Sequence, residues 1–227
     1  MLMKKLLSTL VFVSCCFISF AQNQSLFAEF DQAVGQNNTQ LSYGVVYKER
    51  YRKKIKDNHN FYQDESFKKG SLIYKNEVFD NIKIKYELVD DFIVVNLKNQ
   101  DQLISIIPEK SLIHLFVIDN LRFVNCGSRG FLQELLIQDL FAIYKKHKKF
   151  SKENRDADYR YHTFRKEESF ILKYKDEYYP IDSKRDFNKI FPQNKKDISK
   201  FYKSNRYLLK NNYTNFVAKL ITSLSQE

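Results

Sequence analysis

From Tyr43 onward the chain breaks into short apolar runs separated by polar pairs. The clearest run is Ile82-Lys83-Ile84-Lys85-Tyr86-Glu87-Leu88, where apolar and polar residues alternate without a fault. That two-residue period is a strand with one buried and one wet face. Val89-Asp90-Asp91 is turn-compatible, and 92–97 returns as a more uniformly apolar strand. Upstream, 71–74 and 78–79 flank Lys75-Asn76-Glu77 as a tight hairpin. Downstream, 103–107 ends at Pro108, and 112–118 and 121–124 lie either side of Asp119-Asn120. Short strands at this even spacing predict an antiparallel meander.

Residues 131–150 read two ways. Leu132, Leu135, Leu136, Leu140, Ile143 and Tyr144 fall on a helical stripe, while Gln138-Asp139 could turn two strands. The strands on either side favour the hairpin. The charged stretch 151–158 reads as a loop, 159–164 and 169–174 as strands, and 178–181 as an edge strand, where Pro180 is tolerable. Ser183 with Asp186 then opens a capped helix carrying Phe187, Ile190 and Phe191, which Pro192 stops. Asn194 and Asp197 start a second, and Asn212 caps a last one with Phe216, Val217, Leu220, Ile221 and Leu224 inward. The expected fold is α+β: an antiparallel β-meander or partly closed barrel followed by two or three short C-terminal helices. It forms one domain over 43–227, helical from about 183 to 225, after a polar leader at 22–42.

The first 21 residues follow a different rule. Lys4-Lys5 precedes an apolar stretch to Phe20, and Ser19-Phe20-Ala21 puts small residues at −3 and −1. This is the order of a secretory signal peptide cleaved between Ala21 and Gln22. The stretch, about 15 residues, is shorter than the roughly 20 needed to span a bilayer as a helix. Phe12-Val13-Ser14-Cys15 fits a lipobox only loosely, because the residues after Cys15 stay apolar. Cleavage would leave Cys126 as the one cysteine, hence no internal disulfide. No later segment is long and apolar enough to cross a membrane, so the expected location is periplasmic or secreted.

Composition adds a formal charge of +11. Excess Lys, Asn, Ile, Phe and Tyr, with no Trp and few Gly or Pro, reads as compositional bias that raises charge without a binding site. The cations are mostly Lys, which argues against a bidentate phosphate reader and so against a nucleic-acid partner.

The chemistry-bearing residues are sparse. His59, His114, His147 and His162 lack metal-ligand spacings, and no metal or cofactor is implied. His114, between Ile113 and Leu115, reads as a core histidine, and His147, within Lys145-Lys146-His147-Lys148-Lys149, as part of a solvated basic face. Cys126-Gly127-Ser128-Arg129-Gly130 is the one glycine cluster and reads as a turn, with Arg129 a candidate anion contact. Asp90-Asp91 and Glu167-Glu168 are adjacent pairs, unlike the carboxyls that a glycosidase places across a cleft. Tyr159, Tyr161, Tyr178 and Tyr179 are candidates for an aromatic ligand-binding face. No catalytic residue emerges.

Lys69-Gly70-Ser71-Leu72-Ile73-Tyr74, the run from Ile84 through Val95, and Phe191-Pro192 ahead of Ile198 resemble uncharacterised secreted β-rich proteins of Gram-negative bacteria. The resemblance covers most of 43–224, rests on packing motifs, and implies no activity. Export, a strand-rich sheet with edges, and the lack of a catalytic constellation give the expected function: a non-catalytic envelope protein that docks a protein partner. An apolar-ligand carrier is the alternative and a hydrolase the third reading.

Overall fold

The computed structural model describes residues 40–99 and 102–225. The signal peptide, its cleavage point at Ala21 and Gln22, and nearly all of the 22–42 leader lie outside them. Eleven strands form one antiparallel sheet: β1 (Val45–Val46), β2 (Lys68–Tyr74), β3 (Glu77–Glu87), β4 (Phe92–Asn99), β5 (Gln102–Ile107), β6 (Ile113–Ile118), β7 (Leu121–Asn125), β8 (Phe131–Ile137), β9 (Phe141–Arg155), β10 (Arg160–Tyr174) and β11 (Glu177–Pro180). Their order is β1-β5-β4-β3-β2-β6-β7-β8-β9-β10-β11, so β1 and β11 are the two edges. The α+β meander holds, and 131–150 is a hairpin.

Its turns follow local chemistry. Lys75-Asn76, Asp119-Asn120 and Lys175-Asp176 all have positive φ at both positions. Paired left-handed residues match the twist of the strands they join, and Asn and Asp tolerate that region well. Where the pattern misled, a register shift or a distant partner is responsible. Ile73 pairs with Leu115 but Tyr74 with Ile113, so His114 is the extra residue of a bulge. It is therefore exposed instead of in the core. The charged stretch 151–155 is also not a loop, because β9 runs on to Arg155.

The sheet is strongly curled. β3 and β9 are five places apart, about 24 Å in a flat sheet. Yet the Leu88 carbonyl, just past β3, accepts the Lys149 N–H of β9 at 3.0 Å. Bulges in β2–β3, β2–β6 and β8–β9 supply local bending. At Gly70, beside the first, a Cβ would lie 2.1 Å from the Val117 carbonyl oxygen, so only glycine allows that strand approach.

Curling turns one face of β2–β8 onto itself, and aromatic rings fill the inside. Phe116 and Phe123 stack at 4.9 Å, Phe131 stands edge-on to Phe116 at 5.0 Å, and Tyr86 meets Phe123 at 5.5 Å. All four are fully buried, and Leu41 joins the same cluster.

On the same face, over β8–β11, lie four helices: α1 (Lys184–Ile190), α2 (Lys195–Ser204), α3 (Arg206–Asn211) and α4 (Tyr213–Ser225). The pattern predicted two or three; α3 escaped it because six residues between Asn205 and Asn212 carry no full amphipathic period. The predicted caps form, with Asp186 accepting the Ser183 N–H at 3.0 Å and Asn212 the Asn215 N–H at 3.0 Å. Phe187, Ile198, Phe216, Val217, Leu220 and Ile221 pack on Phe141, Ile143 and Leu172. No helix among the described residues is long and apolar enough to cross a membrane.

Candidate docking surfaces

The two sheet edges are treated differently. Along β10, the Asn58 side chain imitates a peptide: its Oδ1 accepts the Phe164 N–H at 2.7 Å, and its Nδ2 donates to the Phe164 carbonyl at 2.9 Å. The Arg52 carbonyl accepts the His162 N–H at 2.7 Å, and Asp182 accepts the Phe170 N–H at 2.7 Å. Pro180 ends β11. Capped backbone, a proline and a covering segment are the usual protections of an edge. β1 has none of them among the described residues. It pairs inward only, Val45 with Ile107 and Val46 with Ile106. Gly44 lets it approach closely, since a Cβ there would lie 2.5 Å from the Ile107 carbonyl oxygen. Around it, Tyr43 (86%), Val45 (71%), Val46 (57%) and Leu103 (61%) are exposed.

The second surface is an arm. β9 and β10 pair continuously from Phe141–Tyr174 to Arg155–Arg160, whereas β8 reaches only Lys145 and β11 only Ile171. From Lys148 and Glu167 outward the ribbon runs for eight residues on each strand, about 27 Å. The segment around Arg52 and Lys53 lies alongside it, bridged at Lys53–His162, with Tyr51 edge-on to His162 (5.1 Å) and Phe164 (5.3 Å). Facing residues share a side of a ribbon. Lys148/Glu167, Phe150/Arg165, Lys152/Thr163 and Asn154/Tyr161 therefore form the side away from His162 and Phe164. Cations clothe its rings: Arg52 over Tyr159 at 4.6 Å, Lys54 over Tyr161 at 5.3 Å, and Lys148 and Arg165 over Phe150 at 4.6 and 4.8 Å.

At the root of the arm the structure buries groups that the sequence left on the surface. His147 is buried, not solvated: its Nε2 lies 2.6 Å from Gln133 Oε1 and its Nδ1 3.0 Å from Glu168 Oε1. Burial pushes the ring down to about 4, against the pull of Glu168. Lys149 donates to the His59 and Phe61 carbonyls at 2.7 and 2.8 Å, and burial pulls it down to about 8. Because His147 is neutral when folded and ordinary when unfolded, acid favours the unfolded chain. Stability is expected to fall as the pH drops from 6.5 toward 4, by about 2–3 kcal/mol at pH 4.5. Urea unfolding of wild type and His147→Gln at pH 7 and 4.5 checks this, since the variant should lose that part of the slope.

Asp91 is the other buried knot. It accepts from the Tyr86 hydroxyl (2.5 Å), Lys110 (2.6 Å), Lys146 (2.8 Å) and the Phe131 N–H (3.3 Å). Burial pushes its carboxyl up, but Lys146 and Lys110 outweigh that and leave it below the ordinary carboxylate value. Gly130, at φ +72°, fits because a Cβ would sit 1.8 Å from Asp91 Oδ2. Glu87 is also buried and accepts the Val89 and Asp90 N–H groups of the same turn (3.0 and 2.7 Å).

The sequence-predicted tyrosines do not converge. Tyr159 and Tyr161 sit together near the arm tip at 5.9 Å. Tyr178 and Tyr179 are on β11, pointing to opposite faces as strand neighbours must. Arg129 stacks on Tyr178 at 4.6 Å, and the Cys126 thiol lies 3.9 Å from the Tyr178 hydroxyl. Burial pushes that thiol up, the reverse of an activated nucleophile. Among the described residues no group of three or more His, Cys, Asp or Glu is placed to hold a metal ion. No family model matches this chain, and no curated protein or solved structure matches it either.

The sequence missed Lys149, Asn58 and Asp91. Only Asp91 carried a local signal, a second acid in a turn already ended by Asp90.

Proposed function

We propose that this is an exported, non-catalytic envelope protein that docks a partner protein, and that the partner adds an extended strand to β1. One observation carries the reading: the free stretches of β10 are capped and β11 ends at Pro180, while among the described residues β1 stays open and ringed by exposed apolar side chains. Strand addition needs an unpaired backbone edge with apolar positions beside it. The apolar-ligand carrier is less well supported, because rings of Tyr86, Phe116, Phe123 and Phe131 occupy the curled interior.

Site-specific photocross-linking in the exporting cell tests it. A photoreactive phenylalanine at Val46 is expected to give one protein adduct, identified by mass spectrometry, and one at the exposed Ile137 none. Val45→Lys should abolish the adduct. Equal adducts at both positions, or an adduct that is a second copy of this chain, would overturn the reading. An apolar molecule retained in native mass spectrometry would favour the carrier instead.

A further inference from the structure

We infer that the outer face of the β9–β10 arm is a contact surface for anionic lipid head groups of a membrane. The charge of this protein is not evenly spread. Residues 48–58 and 148–167, which the fold brings side by side, hold 13 Lys and Arg against 6 Asp and Glu. That is +7 of the chain's +11 in 31 of its 227 residues. A compositional bias alone would distribute it, so the expectation drawn from composition is replaced by a localised field.

The carboxylates on hand do not neutralise it. Arg50, Lys53, Lys54, Arg160, Arg165 and Lys166 have acidic partners. Lys48, Arg52, Lys56, Lys148, Lys152 and Arg155 are exposed and have no carboxylate partner among the described residues. Four of the six are lysines, compact charges on flexible stems that suit a diffuse negative surface more than a fixed bidentate site. Phe150, Tyr159 and Tyr161 lie among them. Rings with a polar or charged rim sit well at the level of head groups. A single-stranded nucleic acid would need ring faces free for base stacking, and here a cation already covers a face of each of the three. The arm also extends past its sheet neighbours, so it can reach a planar surface before the rest of the sheet.

This surface is separate from β1, and the experiment keeps the two apart. The full chain and its Lys148→Glu/Lys152→Glu variant are sedimented with phosphatidylglycerol-containing vesicles and with pure phosphatidylcholine vesicles. Both positions are exposed on the outer face without a carboxylate partner among the described residues, and circular dichroism should show an unchanged fold. Wild type is expected to bind the anionic vesicles only. The double variant should bind them about 25-fold more weakly, from roughly a fivefold loss per cation near the surface. Raising salt from about 0.1 M to about 1 M, which shortens the Debye length from about 10 Å to about 3 Å, should release the wild type. Val45→Lys should bind vesicles like wild type, so loss of the β1 reading leaves this one standing. Equal binding by the double variant, equal binding to phosphatidylcholine, or tighter binding to a single-stranded oligonucleotide than to anionic vesicles would overturn the inference.

Discussion

Asp91→Ala is expected to be the most damaging single change outside the aromatic interior, at about 3–5 kcal/mol in urea unfolding. The cost does not come from the lost ion pairs as such. It comes from what stays behind: the Lys146 ammonium with its side chain 17% exposed, Lys110, the Tyr86 hydroxyl and the Phe131 N–H, all deprived of their common acceptor. A buried charge without a partner is penalised far more than a buried pair is rewarded. Lys146→Met in the Asp91→Ala background should therefore recover part of the loss, because it removes the stranded charge. An Asp91→Ala chain within about 1 kcal/mol of wild type would show that the knot is incidental.

Phe123→Ala should cost a similar amount, about 3–5 kcal/mol, by leaving a cavity that its neighbours cannot close. Phe123 is fully buried and touches rings from four other places in the chain: Phe116, Tyr86, Tyr62 (5.3 Å) and His147 (6.0 Å). Those neighbours come from three separate strands and from the segment before β2, so no single movement can refill the space. Phe150→Ala is the contrast, with an expected change below about 1 kcal/mol, since that ring is 37% exposed on the arm. If the two variants proved equally stable by chemical denaturation, the interior would be loosely packed.

Which of these features could be read from the chain follows a physical line. The hairpins were legible because alternation and left-handed turn pairs such as Asp119-Asn120 are local. The helix caps at Ser183 and Asn212 were legible for the same reason. What escaped depends on partners far away. His147 sits among four lysines and looks solvated, but Gln133 and Glu168, from β8 and β10, take it inside. The 151–155 stretch has no apolar period, since one side faces water and the other is completed by the segment near Arg52. His114 was misplaced by one bulged residue, enough to reverse a two-residue alternation. The arm as a surface was invisible for a related reason: 48–58 and 148–167 are about 100 residues apart in sequence, and only pairing sums their charge.

The strand order has a further consequence for how the chain reaches this state. β2 to β5 is one run of neighbour-to-neighbour hairpins and β6 to β11 is another. Each run can zip from its own turns with little loop-closure entropy. Apart from β1 joining β5, the sheet is completed when the two runs meet along β2 and β6. Asp91 lies in a turn of the first run and holds Phe131 and Lys146 of the second. It ties together two halves whose hairpins can zip separately, so its interactions are expected to form late in folding.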